Sequence, residues 1–207
     1  MGSTKEMSIL GEFDRFFKSA FPTRDKYHAR MFGLVSESVV RMWCAQSDAT
    51  YEDMGRPTLC ELGTTRGHTL DFTLRNRSTG TIHVAESKCE LEYENYRYLT
   101  LIGAGQIIHH TSTAFTKFLR YATDQSAYDV RLKGGPVVAD GSILVWGAVT
   151  LEGRASAISH YGLADVLSIE AMVADLQRWS PPDWERWIEQ YHVWTTEMFT
   201  FLEGESR

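Results

Sequence analysis

Residues 142–150, SILVWGAVT, form a nearly continuous apolar run bounded by Gly141 and Thr150. A strand with apolar side chains on both faces belongs in the middle of a sheet, with a layer covering each side. Segments of helical periodicity can supply those layers. Residues 8–20 carry Ile9, Phe13, Phe16, Phe17 and Ala20 at helical spacing, and Pro22 is expected to stop that helix. Residues 33–46 set Leu34, Val39, Val40 and Trp43 on one side, and residues 104–122 repeat the period through Phe115, Phe118 and Leu119. Ser168 is placed to cap a helix over 169–178, and Ser180 to cap a last helix opening Pro181-Pro182-Asp183. Residues 48–57 read as a polar connection and 154–159 as a further strand. The expected fold class is α/β (α+β), a central mixed sheet flanked by helices. It is expected as one domain over 1–207, with a core at about 30–160, an N-terminal helix at 8–20 and a C-terminal helical extension at 161–207.

Three short strand-like segments precede that apolar run: 58–63, 69–75 and 81–89. Their short links predict neighbouring antiparallel strands, with 76–80 as the turn of a hairpin. The last segment, TIHVAESKC, is interrupted by charge. Side chains alternate along a strand, so Glu86 and Lys88 share a face with Ile82 and Val84. A carboxylate and an ammonium on a half-buried strand need a partner or a purpose. Asp71 interrupts the preceding strand in the same way, between Leu70 and Phe72, and the hairpin can bring it beside Glu86. Two carboxylates suit a hard, oxygen-preferring cation such as Mg²⁺. Such a cation polarises a phosphodiester and acidifies bound water, and a lysine beside it can orient that water. The bland alternative is a surface ion pair between Glu86 and Lys88 on an edge strand.

Thr69-Leu70-Asp71-Phe72 followed by Glu86-Ser87-Lys88 resembles the PD-(D/E)XK nuclease superfamily, over residues 30–150. Leu70 stands where that family has its proline. The resemblance implies a restriction-endonuclease-like fold whose core runs helix, three-stranded meander, helix, strand. It implies Mg²⁺ or Mn²⁺ held by Asp71, Glu86 and a main-chain carbonyl at Ser87, with Lys88 activating water. It also implies a glutamate from the first core helix, here Glu37, and a glutamine from the helix after the lysine strand, here Gln106. The implied activity is hydrolysis of DNA by an endonuclease of restriction, defence or repair type. The rivals are a nucleic-acid-binding or assembly module without catalysis on the same fold, and an unrelated α+β protein.

Charge limits how a nucleic acid could be held. The net charge of −6 resides wholly in 161–207, where nine acids face Arg178, Arg186 and Arg207. Phosphate must therefore meet metal or a local basic edge, not bulk positive charge. Arg66, His68, Arg75 and Arg77 are candidates for that edge, with a solvated turn as the alternative reading. His109 and His110 are adjacent and lack the spacing of a zinc pair, and His83 alternates away from Glu86. Cys44, Cys60 and Cys89 are odd in number and match no zinc spacing, so they read as reduced thiols. MGSTKEMSIL lacks the apolar stretch of a secretory signal, and no run is long enough to span a membrane, so a cytoplasmic setting is expected. Trp184, Trp187, Tyr191, Trp194, Met198 and Phe201 form an aromatic stripe at helical spacing. It reads as core packing or the contact surface of a homodimer, ahead of a base-stacking platform.

Overall fold

The computed structural model describes residues 11–89, 91 and 94–204. Five strands form the main sheet: β1 (Tyr51–Asp53), β4 (Phe72–Asn76), β5 (Ile82–Lys88), β9 (Ser142–Trp146) and β11 (Asp165–Ser168), in the order β1-β4-β5-β9-β11. β4 runs antiparallel to its neighbours β1 and β5, while β5, β9 and β11 run parallel. The sheet is mixed and covered on both faces, as the apolar run at 142–150 requires. Every residue of β9 is buried. Gly147 then interrupts the run, and β10 (Ala148–Val149) leaves the main sheet to pair with β6 (Thr100–Leu101).

On one face, α2 (Pro22–Cys44) and α5 (Ile169–Trp179) pack Val39, Val40, Trp43, Met172 and Leu176 against Phe72, Leu74, Ala85, Ile143 and Val145. On the other, α3 (Thr113–Thr123) and α4 (Leu151–Tyr161) bring Phe115, Phe118 and Ala157 against Val84, Leu144, Trp146 and Val166. α1 (Glu12–Phe17) and α6 (Pro182–Leu202) complete the first layer. Two α1 amides, those of Gly11 and Phe13, donate to the buried Glu170 carboxylate. A second sheet, β3-β2-β7-β8, lies on the α3 side. It is built from β2 (Thr58–Glu61), β3 (Gly67–Thr69), β7 (Tyr128–Leu132) and β8 (Gly135–Val137).

Several sequence expectations are corrected. Pro22 opens α2 instead of closing the first helix, since a first-turn position has no amide bond to lose. The helix expected at 8–20 is described only over Glu12–Phe17, and residues 8–10 lie outside the described residues. Residues 51–53, read as connection, are the edge strand β1. The segment at 58–63 is therefore not part of the meander; β2 pairs with β3 and β7 instead. Gly67 permits that pairing, because a Cβ there would lie 2.4 Å from the Leu59 carbonyl oxygen. The helix expected at 104–122 is broken. A 3₁₀ segment (Ala104–His109) comes first, and Ser112 then caps α3 by accepting from the Phe115 amide. Residues 154–159 are helical, within α4, where Thr150 caps the first turn and Gly162 ends the last at φ +67. The region from 161 onward is not merely helical, because β11 forms a sheet edge. Ser168 caps α5 as expected, whereas Ser180 ends that helix in the left-handed conformation, its hydroxyl donating to the Gln177 carbonyl, and does not cap α6. Among the described residues no helix is long and apolar enough to cross a membrane.

Candidate active site

The hairpin β4–β5 sets the site. Asn76 Oδ1 accepts from the amides of Ser78 and Thr79, an Asx turn, and Gly80 takes φ +75, so the chain reverses within a few residues. The register pairs Phe72 with Ala85, which puts Asp71 across from Glu86 one step further along. Asp71 precedes β4, and Glu86 and Lys88 lie near the carboxyl end of β5, so all three meet at one end of the sheet. Open α/β sheets commonly bind ligands outside such ends. Phe72 and Ala85 face α2. Alternation therefore turns Glu86 and Lys88 toward α3, with the Lys88 ammonium 5.2 Å from the Phe115 ring centroid, while Asp71 lies in the bend just before β4.

The polar contacts are tight. Asp71 Oδ2 accepts from the Ser87 amide at 2.9 Å, tying the two strands at the site. Lys88 Nζ donates to Glu86 Oε1 at 2.7 Å and to the Ser87 carbonyl at 3.2 Å. Glu86 is 6% exposed, on a strand flanked by β4 and β9. The ion pair with Lys88 exists, but the surface, edge-strand version of it does not. Glu86 Oε2 is buried with no hydrogen-bond partner. Burial pushes the Glu86 carboxyl above its ordinary range; Lys88 pulls it back, the Asp71 charge adds to the rise, and the Asp71 amide offsets part of it. A buried carboxylate oxygen beside a second carboxylate, with only the Asp71 amide close to that carboxyl group, is donor chemistry that suits a hard cation. Among the described residues no group of three or more His, Cys, Asp or Glu side chains could hold a metal, so such a cation would depend on Asp71, Glu86 and main-chain oxygen such as Ser87.

Two expected residues lie elsewhere. Glu37 sits on α2, which covers the opposite face of the sheet, and pairs with Arg41 at 3.0 Å. Arg41 in turn lies over the Phe72 ring, 5.1 Å from its centroid. Gln106 is on the 3₁₀ segment, not the helix. Its Oε1 accepts from the amides of Ile102 and Gly103, and its Nε2 donates to the carbonyls of Arg97 and Thr100. All four hydrogen-bonding positions of the amide are used, so it braces the crossover leaving β5 and has none left for water or phosphate. Gln106→Leu is expected to cost about 1–2 kcal/mol in chemical denaturation. Any catalytic rate per folded molecule should be unchanged; a large loss of rate at full folding would return Gln106 to the site.

The chain matches no protein-family model, no curated protein and no solved structure.

The structure places near the site one residue that the sequence did not single out, Arg56, and one that it weighed only as a zinc ligand, His110. Arg56, within the supposed connection, reaches Asp71 Oδ1 at 3.4 Å and the Leu70 carbonyl at 3.3 Å. His110 packs against Phe115 and Trp146; burial, then the charges of His109 and Lys88, lower its pKa to about 3, so it is neutral. Neither carries a motif, and only the fold reveals their position. Arg75 and Arg77 are committed to Glu52, and Arg77 also to the Cys44 carbonyl, so they supply no phosphate edge. Arg66 and Lys133, on the exposed loops of the second sheet, make no ion pair among the described residues. The three cysteines are free of disulfides, and burial pushes the Cys44 thiol up to about 12, which makes it inert as a nucleophile.

Proposed function

We propose that this protein is a metal-dependent nuclease of the PD-(D/E)XK type that hydrolyses phosphodiester bonds in DNA. The observation that carries the reading is the meeting of Asp71, Glu86 and Lys88 at one end of neighbouring strands, with one Glu86 oxygen buried and without a hydrogen bond. The order α2, β1, β4, β5, α3, β9 also follows the helix, meander, helix, strand core of that superfamily. Asp71, Glu86 and the Ser87 carbonyl would hold Mg²⁺ or Mn²⁺, which supplies Lewis acidity toward the phosphodiester and an acidified water. Lys88 Nζ, fixed by two oxygens, orients the attacking water and offsets negative charge on the phosphorane. The Phe115 ring and the neutral His110 keep that ammonium from dispersing into solvent. Arg56, with Lys133 at the same end of the second sheet, gives a basic approach that the acidic C-terminal region does not.

One observation favours the non-catalytic nucleic-acid-binding module: the absence of a third metal-ligating side chain among the described residues. A single assay separates the two. Purified protein is incubated with plasmid and with labelled linear duplex in Mg²⁺, Mn²⁺, Ca²⁺ or chelator. Cleavage in Mg²⁺ or Mn²⁺ that chelator abolishes, with little in Ca²⁺, is expected, because a loosely coordinated Ca²⁺ positions water poorly. Duplex binding without cleavage in any metal would favour the module, and full activity in chelator would remove the metal from the mechanism.

A further inference from the structure

In the helical layer, where α1, α2 and α5 meet, lies a hollow of about 240 Å³. That is the liquid volume of roughly eight waters, room for a ligand of a few carbons. Its apolar wall is Phe13, Phe16, Phe17 and Phe32, closed by Val173 and Ala174 of α5. The rings stand edge to face: Phe13 lies 5.3 Å from Phe17 at 85° and 5.1 Å from Phe32 at 80°. The charge on this wall is all of one sign. Glu12 and Glu170 line it, and Gln177 adds a neutral amide. Arg15 and Arg24 line the neighbouring hollow and not this one, and Arg24 is paired with Asp25. Glu12 has no cationic partner among the described residues.

Glu170 makes the hollow more than a gap in packing. The residue is 3% exposed. Its Oε1 accepts from the Gly11 and Phe13 amides at 3.2 and 2.7 Å, which ties α1 to α5. A glutamine oxygen could accept the same two bonds, so the tie does not account for the charge. Glu170 Oε2 is buried and has no hydrogen bond. Burial is the largest influence on this carboxyl and raises it above its ordinary range against the pull of the α1 amides. An unsatisfied buried oxygen calls for a donor, and its uncompensated charge calls for a cation. Phenylalanine rings attract cations most where water is excluded. We propose that the hollow binds a small primary amine in its protonated form, the ammonium donating to Glu170 beside Glu12 and the alkyl chain lying on the phenylalanines. The site is on the α2 side of the sheet, away from Lys88, and stands whether or not the nuclease reading does.

Isothermal titration calorimetry of the full chain at neutral pH tests it, with n-butylammonium and 1-butanol as probes. The two share a chain and a hydrogen-bond donor and differ in charge. Butylammonium is expected to bind with a Kd on the order of 1 mM or tighter and to raise the melting temperature. The neutral alcohol should bind about tenfold more weakly or worse. Choline, whose charged nitrogen has no N–H, should also bind more weakly than butylammonium. Glu170→Gln keeps an oxygen for the α1 amides, so it should fold like the parent and lose about tenfold or more in affinity. Glu12→Gln, at an exposed position, should weaken binding several-fold without touching the core. No binding of butylammonium at roughly 10 mM overturns the proposal. So does equal affinity for 1-butanol or for choline, and so does affinity undiminished in Glu170→Gln.

Discussion

Lys88→Met is expected to reduce Mg²⁺-dependent cleavage by roughly a thousandfold or more while leaving the melting temperature within a few degrees of the parent. The methionine stem reproduces the apolar part of lysine and still packs on Phe115, so the fold loses little. What disappears is the ammonium that Glu86 Oε1 and the Ser87 carbonyl fix at 2.7 and 3.2 Å. Without it the attacking water loses an orienting partner and the phosphorane loses a compensating charge. Duplex binding in Ca²⁺ should persist, because the carboxylates remain. Cleavage at the parental rate by Lys88→Met would sink the assignment, and loss of binding together with cleavage would make Lys88 a substrate contact instead. Lys88→Arg offers a finer test. It keeps the charge but replaces a compact ammonium with a planar fork, so activity should recover only in part.

The sequence disclosed the centre of this arrangement because strand alternation is a strict rule. Charges at Glu86 and Lys88 within an apolar run had to share a face, and the short 76–80 turn had to bring Asp71 opposite. Both statements depend on local geometry alone. Glu37 and Gln106 were assigned by position within elements whose limits the sequence did not resolve. The helix expected to begin at 33 begins at Pro22, and the helix expected to contain Gln106 does not start until Thr113. The break at 110–112 has a plain cause: Ser112 takes an extended conformation and caps the next turn. Nothing in the hydrophobic period reports that event, since Ile107 and Phe115 are both buried on either side of it. Arg56 and His110 reach the site only through long-range pairing of strands and loops.

Segment 58–63 shows the same limit from another side. Its composition marks a strand correctly, but a strand does not announce its sheet. Leu59 and Cys60 are both buried, so β2 has no solvent face to betray its register, and it joins β3 and β7 while the short β1 takes the place beside β4. The exchange matters for function. It places a four-stranded basic-edged layer on the α3 side, and β3 leads through Leu70 directly into Asp71. On the nuclease reading proposed above, a duplex lying on that layer would be two residues of chain away from the Asp71 carboxylate.

Glu86→Gln is expected to separate stability from activity in opposite directions. The ionised carboxylate is buried on a central strand, one oxygen is unpartnered, and burial outweighs the pull of Lys88 in setting its proton affinity. Its folded pKa therefore lies above the ordinary value of 4.5. Between those two values the native chain holds a proton that the unfolded chain has released. Stability falls as pH rises through that window. Glutamine is neutral, keeps an oxygen to accept from Lys88 Nζ, and should raise stability at pH 7 by on the order of 1 kcal/mol in metal-free buffer. The gain should shrink toward zero as the pH is lowered through 4.5, where the parent carboxyl is protonated in both states. Glu170, also raised by burial, is present in parent and variant alike and cancels in the comparison. Mg²⁺ should raise the parent's melting temperature, because a cation on Glu86 and Asp71 satisfies the stranded oxygen, and should do little for the variant. Cleavage should fall by roughly a thousandfold, since a neutral amide is a poor ligand for a hard cation. Metal-free melts of the two proteins at neutral and acid pH, each repeated with Mg²⁺, decide the matter. A variant less stable than the parent at pH 7, or one that Mg²⁺ stabilises equally, would mean that the Glu86 carboxylate is a structural partner of Lys88 and not a seat for metal.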